Sequence, residues 1–364
     1  MSGMEAALAM KKGVAKAIPD CEVILCPVAD GGDGLTEVLE EALNADKVSC
    51  KVCNPLFEPV EATYLRKDTI AIIEMAKASG LNLLTPKQYN PSQTTTFGTG
   101  ELILHAIRSG AKRVIVGLGG SATCDGGIGM ASALGFSFFD KDGNKLSPVG
   151  ENMTLISEID TSKIHSDLNH ICFEAICDVT NPFSGPDGAS HVYSPQKGGS
   201  PEQVQQLDQG LHHFSKIIKK KFSKDISHLP GAGAAGGLGG GLHAFLGADL
   251  KKGIDLVLEL LRFEEKLKDA DLVLTGEGQM DHQTIFNKAP AGVALMAASK
   301  QIPCIALCGS IGEGAEQLHT VGIKSVFPIC RGPITIEKAI KKGEELLSLT
   351  AEQVMRTFLL SESL

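Results

Sequence analysis

The chain has 364 residues, which suggests about two domains, and 43% of them are hydrophobic, which is ample for a large buried core. The net charge of −9 and the short basic runs argue against nucleic acid or an anionic membrane as a partner. The ten cysteines are scattered along the chain, mostly inside apolar runs, which favours a reduced compartment. The sequence has neither a signal peptide nor an apolar run of about 18 residues, so we expect a cytoplasmic protein.

The predicted elements begin with a helix at Met4–Lys16, and the apolar run Glu22–Val28 predicts a strand after it. Polar and apolar residues alternate over Asp46–Arg66, and Asp140–Asn144 (DKDGN) predicts a hairpin turn after Phe136–Phe139. Further strands are predicted at Thr69–Met75, Val114–Val116, Phe173–Ile176, Leu272–Leu274, Cys304–Cys308 and Ser325–Ile329. Further helices are predicted at Thr96–Ser109, Ile128–Leu134, Val204–Phe222, Asp255–Leu267 and Ile336–Leu359, the last with a kink near Leu349.

The alternation of strands and helices predicts the α/β class with parallel sheets. Both ends of the chain have the pattern of βα units, whereas the middle contains longer loops and hairpin signals. We therefore expect a discontinuous outer domain, residues 1–47 with 262–364, and an inserted domain, residues 48–261.

One glycine-rich stretch is the most informative feature. Gly117–Gly129 reads GLGGSATCDGGIG and directly follows the apolar run Val114–Val116. A strand, a glycine loop and a helix start together form an anion cradle, because free backbone N–H groups and the helix dipole face negative charge. A tight turn in an α/β fold is the alternative interpretation. This loop is neither GxGxxG with a following ribose acid nor GxxxxGK[ST], which weighs against a nicotinamide-dependent oxidoreductase.

The same theme recurs along the chain, since glycine or a carboxylate follows other apolar runs. In open α/β sheets, ligands bind at the carboxyl ends of the strands. Several such loops together therefore predict a phosphate and metal site, although each acid alone is more often a turn or helix-cap residue. The recurrences are Pro27–Gly34 (PVADGGDG), Cys177–Pro182 (CDVTNP), Pro230–Leu242 (PGAGAAGGLGGGL) and Thr275–Asp281 (TGEGQMD).

Taken together, these motifs resemble the type I glycerate kinases. GLGGSATCDGG, CDVTNP, PQKGG, PGAGAAGGLGGGL and TGEGQMD occur in that family's order, and PVADGGDG, IIEMAKASGL and TTTFGTGELI match as well. The resemblance covers the chain from Met4 onward. It implies ATP-dependent, Mg²⁺-dependent phosphorylation of D-glycerate, with 2-phosphoglycerate favoured as the product. It also implies two unlike α/β domains, one of them Rossmann- or flavodoxin-like, with the active site in the cleft between them.

The chain departs from the family pattern at a few positions. Cys124 stands where the family loop usually has Asn, and Gln279 stands where it usually has Arg. The family's N-terminal strand and its APDSFKG-type motif are missing. A non-catalytic or impaired member that binds nucleotide or glycerate is therefore the alternative function, and we expect a monomer or homodimer without other macromolecular partners.

Phosphoryl transfer needs groups that neutralise the phosphates, a metal and a base for the substrate hydroxyl. Asp178 is the predicted base, because CDVTNP follows a buried strand and its proline fixes the turn; Asp281 is the rival. Lys197, in PQKGG, is the predicted catalytic cation that meets a carboxylate or a phosphate.

The other candidates are assigned by residue type. The candidates for ATP are Gly119, Gly120, Ser121, Thr123, Gly236, Gly237, Thr275 and Gly276. The candidates for the metal are Asp30, Asp125 and Glu277. The candidates for D-glycerate are Asn181, Lys197 and Lys288.

Overall fold

The structure is a computed structural model that describes residues 1–28, 35–285 and 288–361. The chain divides into two compact units: the first unit is residues 1–30 with 253–364, and the second unit is residues 31–252. The predicted boundaries, after residues 47 and 261, differ from these. Helix Leu35–Leu43 falls in the second unit because it packs on strands there. Helix Gly253–Leu260 falls in the first unit, where Ile254 lies against Gly292.

The described residues contain the following regular elements. The strands are β1 (Asp46–Cys53), β2 (Pro59–Lys67), β3 (Ile70–Glu74), β4 (Arg113–Gly117), β5 (Ser137–Phe139), β6 (Glu158–Asp160), β7 (Cys172–Ile176), β8 (Asp249–Lys251), β9 (Val273–Met280), β10 (Cys304–Ile311) and β11 (Ile323–Pro328). The helices are α1 (Gly3–Ala17), α2 (Leu35–Leu43), α3 (Ala76–Ser79), α4 (Phe97–Arg108), α5 (Ile128–Ala133), α6 (Ala189–Tyr193), α7 (Pro201–Phe222), α8 (Ala234–Leu246), α9 (Gly253–Leu260), α10 (Phe263–Lys266), α11 (Ala289–Ser299), α12 (Ile336–Lys341) and α13 (Gly343–Ser361). The shorter 3₁₀ turns are Leu81–Leu83, Pro86–Gln88, Gly150–Leu155, Ser166–His170, Pro195–Lys197, His282–Ile285 and Ala315–Val321.

The main sheet of the second unit has the strand order β1-β2-β3-β4-β7-β8. The pairs β1–β2 and β2–β3 are antiparallel, whereas β3–β4, β4–β7 and β7–β8 are parallel. Residues 71–73 and 114–116 are fully buried, which explains why β3 and β4 appear in the sequence as continuous apolar runs. The register places Glu74, Gly117 and Ile176 side by side. Strands β3, β4 and β7 therefore end together at one edge of the sheet, and the loops that follow them share that edge.

An aromatic cluster fills part of the core of this unit. Neighbouring rings in it have centroids 4.9–6.4 Å apart, mostly in edge-to-face contact. Helix α7 supplies two of the rings, and it begins at a capping box in which Ser200 and Gln203 bond reciprocally. The members of the cluster are Phe136, Phe138, Phe214, Phe222 and Phe245.

The first unit has a parallel sheet with the strand order β11-β10-β9. The motif TGEGQMD, predicted as a loop after Leu274, lies mostly within β9. Parallel pairing with β10 continues as far as Met280, and its ladder hydrogen bonds outweigh the low strand propensity of the glycines.

Helix α1 packs against α13, also in the first unit. Gly13 allows the close approach, because a Cβ there would overlap the carbonyl oxygen of Ser348. The predicted helix at Met4–Lys16 is confirmed as α1. The predicted C-terminal helix is two helices, and the break is at Lys342 rather than near Leu349. Gly343 follows this break, and glycine is a poor residue for a helix interior.

Two further predictions are wrong in part, and a third is confirmed in a shorter form. Residues 22–28 are not a strand, because they pair with no strand in the described part of the chain. The predicted helix Asp255–Leu267 is split into α9 and α10 at Arg262, whose φ of 50° is left-handed. The turn Asp140–Asn144 forms and is closed by an antiparallel bridge between Phe139 and Lys145, so the predicted hairpin is present in short form, while the longer pairing of β5 is with the later strand β6.

The predicted strands that became β3, β4, β7, β10 and β11 are confirmed to within a few residues, as are helices α4, α5 and α7. All ten cysteines lie in the described part of the chain, and each is a free thiol. No helix within the described residues has the length and apolarity that crossing a membrane requires.

Candidate active site

The glycine loop that follows β4 is held against a neighbouring segment. The N–H of Ala122 donates to the carbonyl oxygen of Ser79 (2.9 Å), and the N–H of Leu81 donates to that of Gly120 (2.9 Å). Gly80 and Ser121 form an antiparallel bridge between these contacts. The IIEMAKASGL motif therefore holds the loop through backbone hydrogen bonds, whereas Gly119 and Gly120 remain exposed.

Asp125 organises the interior of this loop. It is fully buried. Its Oδ1 accepts from the N–H of Gly127 (3.0 Å), and its Oδ2 accepts from the N–H of Gly129 (3.2 Å) and from both the N–H and Oγ1 of Thr96 (2.8 Å each). Burial raises the pKa of Asp125, and the donated hydrogen bonds oppose this rise. The sequence predicted a metal ligand here, but four protein donors occupy these oxygens, so Asp125 instead fixes the loop and the start of α5.

Lys197 is the buried cation of the second unit. It is 2% exposed and ends the 3₁₀ turn Pro195–Lys197. Its Nζ donates to Oγ of Ser121 (2.7 Å) and to the carbonyl oxygen of Thr123 (2.7 Å). Burial lowers the pKa of Lys197 to about 8, against the opposing effects of Cys124 and Asp125. The predicted residues Ser121, Thr123 and Lys197 are thus together, and Oγ1 of Thr123 is buried without a hydrogen-bond partner among the residues that the structure describes.

Gly236 and Gly237 pack beneath the same loop. Both are buried and have left-handed φ values of 68° and 91°. A Cβ on Gly236 would overlap the carbonyl oxygen of Thr123, and the carbonyl oxygen of Gly236 accepts from the N–H of Gly126 at 3.0 Å. The sequence predicted contact with nucleotide here. In the structure, glycine is required at these two positions because the second glycine-rich segment packs closely on the first.

Asp178 lies two residues beyond the end of β7, at the same edge of the sheet, and is half-buried. Asn181, further along this loop, is already hydrogen-bonded through both ends of its amide. Its Nδ2 donates to the carbonyl oxygen of Asp187 (2.8 Å), and its Oδ1 accepts from the hydroxyl of Tyr193 (2.6 Å). The amide of Asn181 therefore supports the loop that carries Asp178.

Glu74 is a residue of this edge that was missed in the sequence. It ends β3 next to Gly117, and its Oε1 accepts from the N–H of Thr36 (2.9 Å). Its Oε2 lies 3.4 Å from Nζ of Lys77. The available signal was its position, since Glu74 ends an apolar run and Asp178 lies just after one.

The candidates in the first unit cluster at the end of β9. Oε1 of Glu277 accepts from Oγ1 of Thr284 (2.5 Å), and its Oε2 lies 3.4 Å from Nζ of Lys288. Asp281 starts the next turn, where its Oδ1 accepts from the N–H of Gln283 (2.8 Å). Thr275 is buried inside the strand. Gly276 is exposed and packs closely on the backbone of β10.

The acidic candidates differ in how well they fit Mg²⁺. In residues 1–28, 35–285 and 288–361, no three His, Cys, Asp or Glu side chains are grouped as metal ligands. Mg²⁺ needs only one or two carboxylates when water and phosphate oxygens complete its shell. Glu277 fits this requirement, because it is partly exposed and its carboxylate partners in the described part of the chain are two side chains. Asp125 does not fit, and Asp30 lies outside the described residues.

Comparison with known proteins gives a consistent result. The sequence profile of the glycerate kinase family matches residues 1–359. The chain is 42% identical to a glycerate kinase of Halalkalibacterium halodurans, over 97% of this chain and 94% of that protein. It is 40% identical to the glycerate 2-kinase of Escherichia coli, over 98% of this chain and 94% of that protein.

A solved structure agrees. A crystal structure from Salmonella typhimurium, described as a candidate glycerate kinase 2, superposes with a TM-score of 0.88 at 40% identity. The match covers 100% of this chain and 96% of the other. The fold is α/β, with mixed and parallel sheets, and the matches in sequence and structure both extend over nearly the whole chain. The chain belongs to the glycerate kinase family.

Proposed function

We propose that this protein transfers the γ-phosphoryl group of ATP to D-glycerate, with Mg²⁺, in the cytoplasm. Family membership supports the reaction class. The observation that carries the proposal is the buried ammonium of Lys197, held on Ser121 and the Thr123 carbonyl at a glycine loop that ends a parallel strand. A buried cation and exposed backbone N–H groups are the groups that stabilise a phosphate or a carboxylate.

The second unit supplies the anion-binding groups in this proposal. Lys197 has three N–H bonds, of which two are used by the acceptors that the described residues provide. The third donor and the hydroxyl of Ser121 are therefore assigned to a carboxylate or phosphate oxygen. The exposed backbone at Gly119 and Gly120 is assigned to the same anion.

Asp178 is the proposed general base that accepts the proton of the substrate hydroxyl. It stands at the carboxyl edge of the parallel strands, where ligands of α/β sheets bind, and it is half-buried. Asp281 remains the rival, because it also follows a strand.

The first unit supplies Glu277 and Lys288 in this proposal. Glu277 is assigned to the divalent cation, and Lys288 to phosphate or to the glycerate carboxylate. When Mg²⁺ is bound with ATP, it neutralises phosphate charge and so lowers the barrier to transfer. The 2-hydroxyl is the proposed acceptor; in support, the Escherichia coli relative is named a glycerate 2-kinase.

Two measurements test the function. ADP release should require both D-glycerate and Mg²⁺, and ATP with Mg²⁺ should raise the melting temperature whereas NAD should not. Stabilisation by ATP without glycerate-dependent ADP release would favour the alternative, a member that binds without turnover. Stabilisation by NAD alone would favour an oxidoreductase.

A further inference from the structure

Thr284 has a buried hydroxyl that the proposed reaction has not yet used. It is 0% exposed and lies in the 3₁₀ turn His282–Ile285 that follows β9. Its Oγ1 lies 3.2 Å from the backbone nitrogen of Asp281 and 2.5 Å from Oε1 of Glu277. It therefore connects the two acidic candidates of the first unit.

The direction of both hydrogen bonds follows from the chemistry of the groups. A backbone N–H can only donate, so the N–H of Asp281 occupies a lone pair of the Thr284 oxygen. The single hydroxyl proton of Thr284 then points to Glu277, which must accept it. Because Thr284 is fully buried, water does not compete for this proton.

Among the described residues, the other oxygen of Glu277 has only a loosely held partner. Its Oε2 lies 3.4 Å from Nζ of Lys288, beyond the usual N–H···O distance, and both side chains are partly exposed. One oxygen is thus fixed from inside the unit, while the other has a partner that is easily exchanged. This asymmetry suits a carboxylate that presents one defined oxygen to a ligand.

We propose that Thr284 is a positioning residue: its hydroxyl holds Glu277 in one orientation, so that Oε2 is the oxygen offered to a divalent cation carried by the nucleotide. This inference rests on the proposed function of Glu277. Hydrogen-bond partners of metal ligands typically change metal affinity or activity by about 10–100-fold when they are removed. Thr284 would then act on cation binding without touching substrate.

The test compares Thr284→Val, which keeps the shape and removes the hydroxyl, with Thr284→Ser, which keeps the hydroxyl. Binding of Mn²⁺ in the presence of ADP is measured directly, and the Mg²⁺ dependence of ADP release is measured in parallel. We expect Thr284→Val to weaken cation binding by about 10–100-fold. We expect Thr284→Ser to stay within about threefold of the unmodified protein, since it restores the same donor.

A matched control separates a positioning effect from a general loss of stability. Ser215→Ala removes another buried hydroxyl, which donates to the carbonyl oxygen of His212 in helix α7. It should lower the melting temperature and leave cation binding unchanged. If Thr284→Val does not fold, Thr284→Cys takes its place, because a thiol is a weak donor of similar size.

The results distinguish the inference from the function on which it rests. Unchanged Mn²⁺ affinity in folded Thr284→Val, or equal losses in the Val and Ser variants, would overturn the inference even if the unmodified protein phosphorylates glycerate. Loss in Thr284→Val with rescue in Thr284→Ser would support it. Absence of glycerate phosphorylation by the unmodified protein would overturn the proposed function, whereas the binding comparison would still decide the role of Thr284.

Discussion

Gly236 lies directly against the carbonyl oxygen of Thr123, the same oxygen that accepts a hydrogen bond from Lys197. No side chain fits between them, because a Cβ on Gly236 would overlap this oxygen. The two glycine-rich segments therefore meet at the acceptor of the buried ammonium. The packing of Gly236 at this point therefore also affects the position of Lys197.

Gly236→Ala should be strongly destabilising for this reason. A left-handed φ costs a non-glycine residue about 1–2 kcal/mol, and crowding of a packed core costs about 1–3 kcal/mol more. Gly143→Ala is the matched control, since Gly143 has a φ of 79° but open space around its Cβ position. Chemical denaturation should show a clearly larger loss of unfolding free energy for Gly236→Ala. Equal losses would mean that crowding at Thr123 is unimportant.

Asp125→Asn should destabilise the fold rather than weaken metal binding. An amide that keeps its oxygen towards Thr96 and Gly129 turns its NH₂ towards the N–H of Gly127, so two donors face each other. A lost hydrogen bond to a charged group costs about 1.5–3 kcal/mol. The exposed Asp142→Asn is the control. A normal melting temperature combined with a raised Mg²⁺ requirement would restore Asp125 as a metal ligand.

The pH dependence of kcat/KM should reflect Lys197. Its pKa is about 8, so the ammonium is lost as pH rises through that value, and kcat/KM should fall on the alkaline side. Lys197→Met should remove this alkaline limb and reduce kcat by about 10²–10³, as for one lost oxyanion donor. If the alkaline limb persists in Lys197→Met, the titration of another group causes it.

Burial of Lys197 also affects stability in a defined direction. Its folded pKa of about 8 is below the ordinary value of 10.5, so between these values the unfolded chain binds more protons than the folded chain. The contribution of this group to the unfolding free energy should therefore rise with pH from about 8 to 10.5. Denaturation at several pH values, compared between the unmodified protein and Lys197→Met, measures this difference.

Asp178→Asn should lower kcat by about 10²–10⁴, the range for a lost acid–base group, and should leave the fold intact because Asn preserves the shape. Asp281→Asn tests the rival in the same assay. Circular dichroism and melting temperature show whether each variant is folded. If Asp281→Asn shows the large loss and Asp178→Asn does not, the base is Asp281.

Much of the fold follows from local sequence pattern. Strands such as Val114–Val116 are continuous apolar runs because parallel strands are buried on both faces. The failures have non-local causes: β9 extends past Leu274 because β10 provides pairing partners, and α9 ends where Arg262 adopts a left-handed φ. Neither feature is visible in the periodicity of a single segment.

The same difference between local pattern and non-local contact explains which features of the site could be predicted from the sequence. The contact of Lys197 with Ser121 joins residues from two motifs, both of which were identified in the sequence as anion-binding candidates. The burial of Asp125 was missed, because two of its four donors come from Thr96, far away in the chain. Thr284 was missed because a threonine inside a turn carries no signal until its contact with Glu277 is known.

Identification of the phosphorylated product decides whether the protein is a glycerate kinase and which hydroxyl it phosphorylates. The protein is incubated with ATP, Mg²⁺ and D-glycerate, and phosphorus and proton NMR follow the phosphorylated carbon, with L-glycerate as the matched control. We expect ADP and 2-phosphoglycerate to accumulate in equal amounts from D-glycerate, and L-glycerate to give much less. Formation of 3-phosphoglycerate would contradict the proposed acceptor hydroxyl, and absence of any phosphoglycerate from folded protein that binds ATP would contradict the kinase function itself.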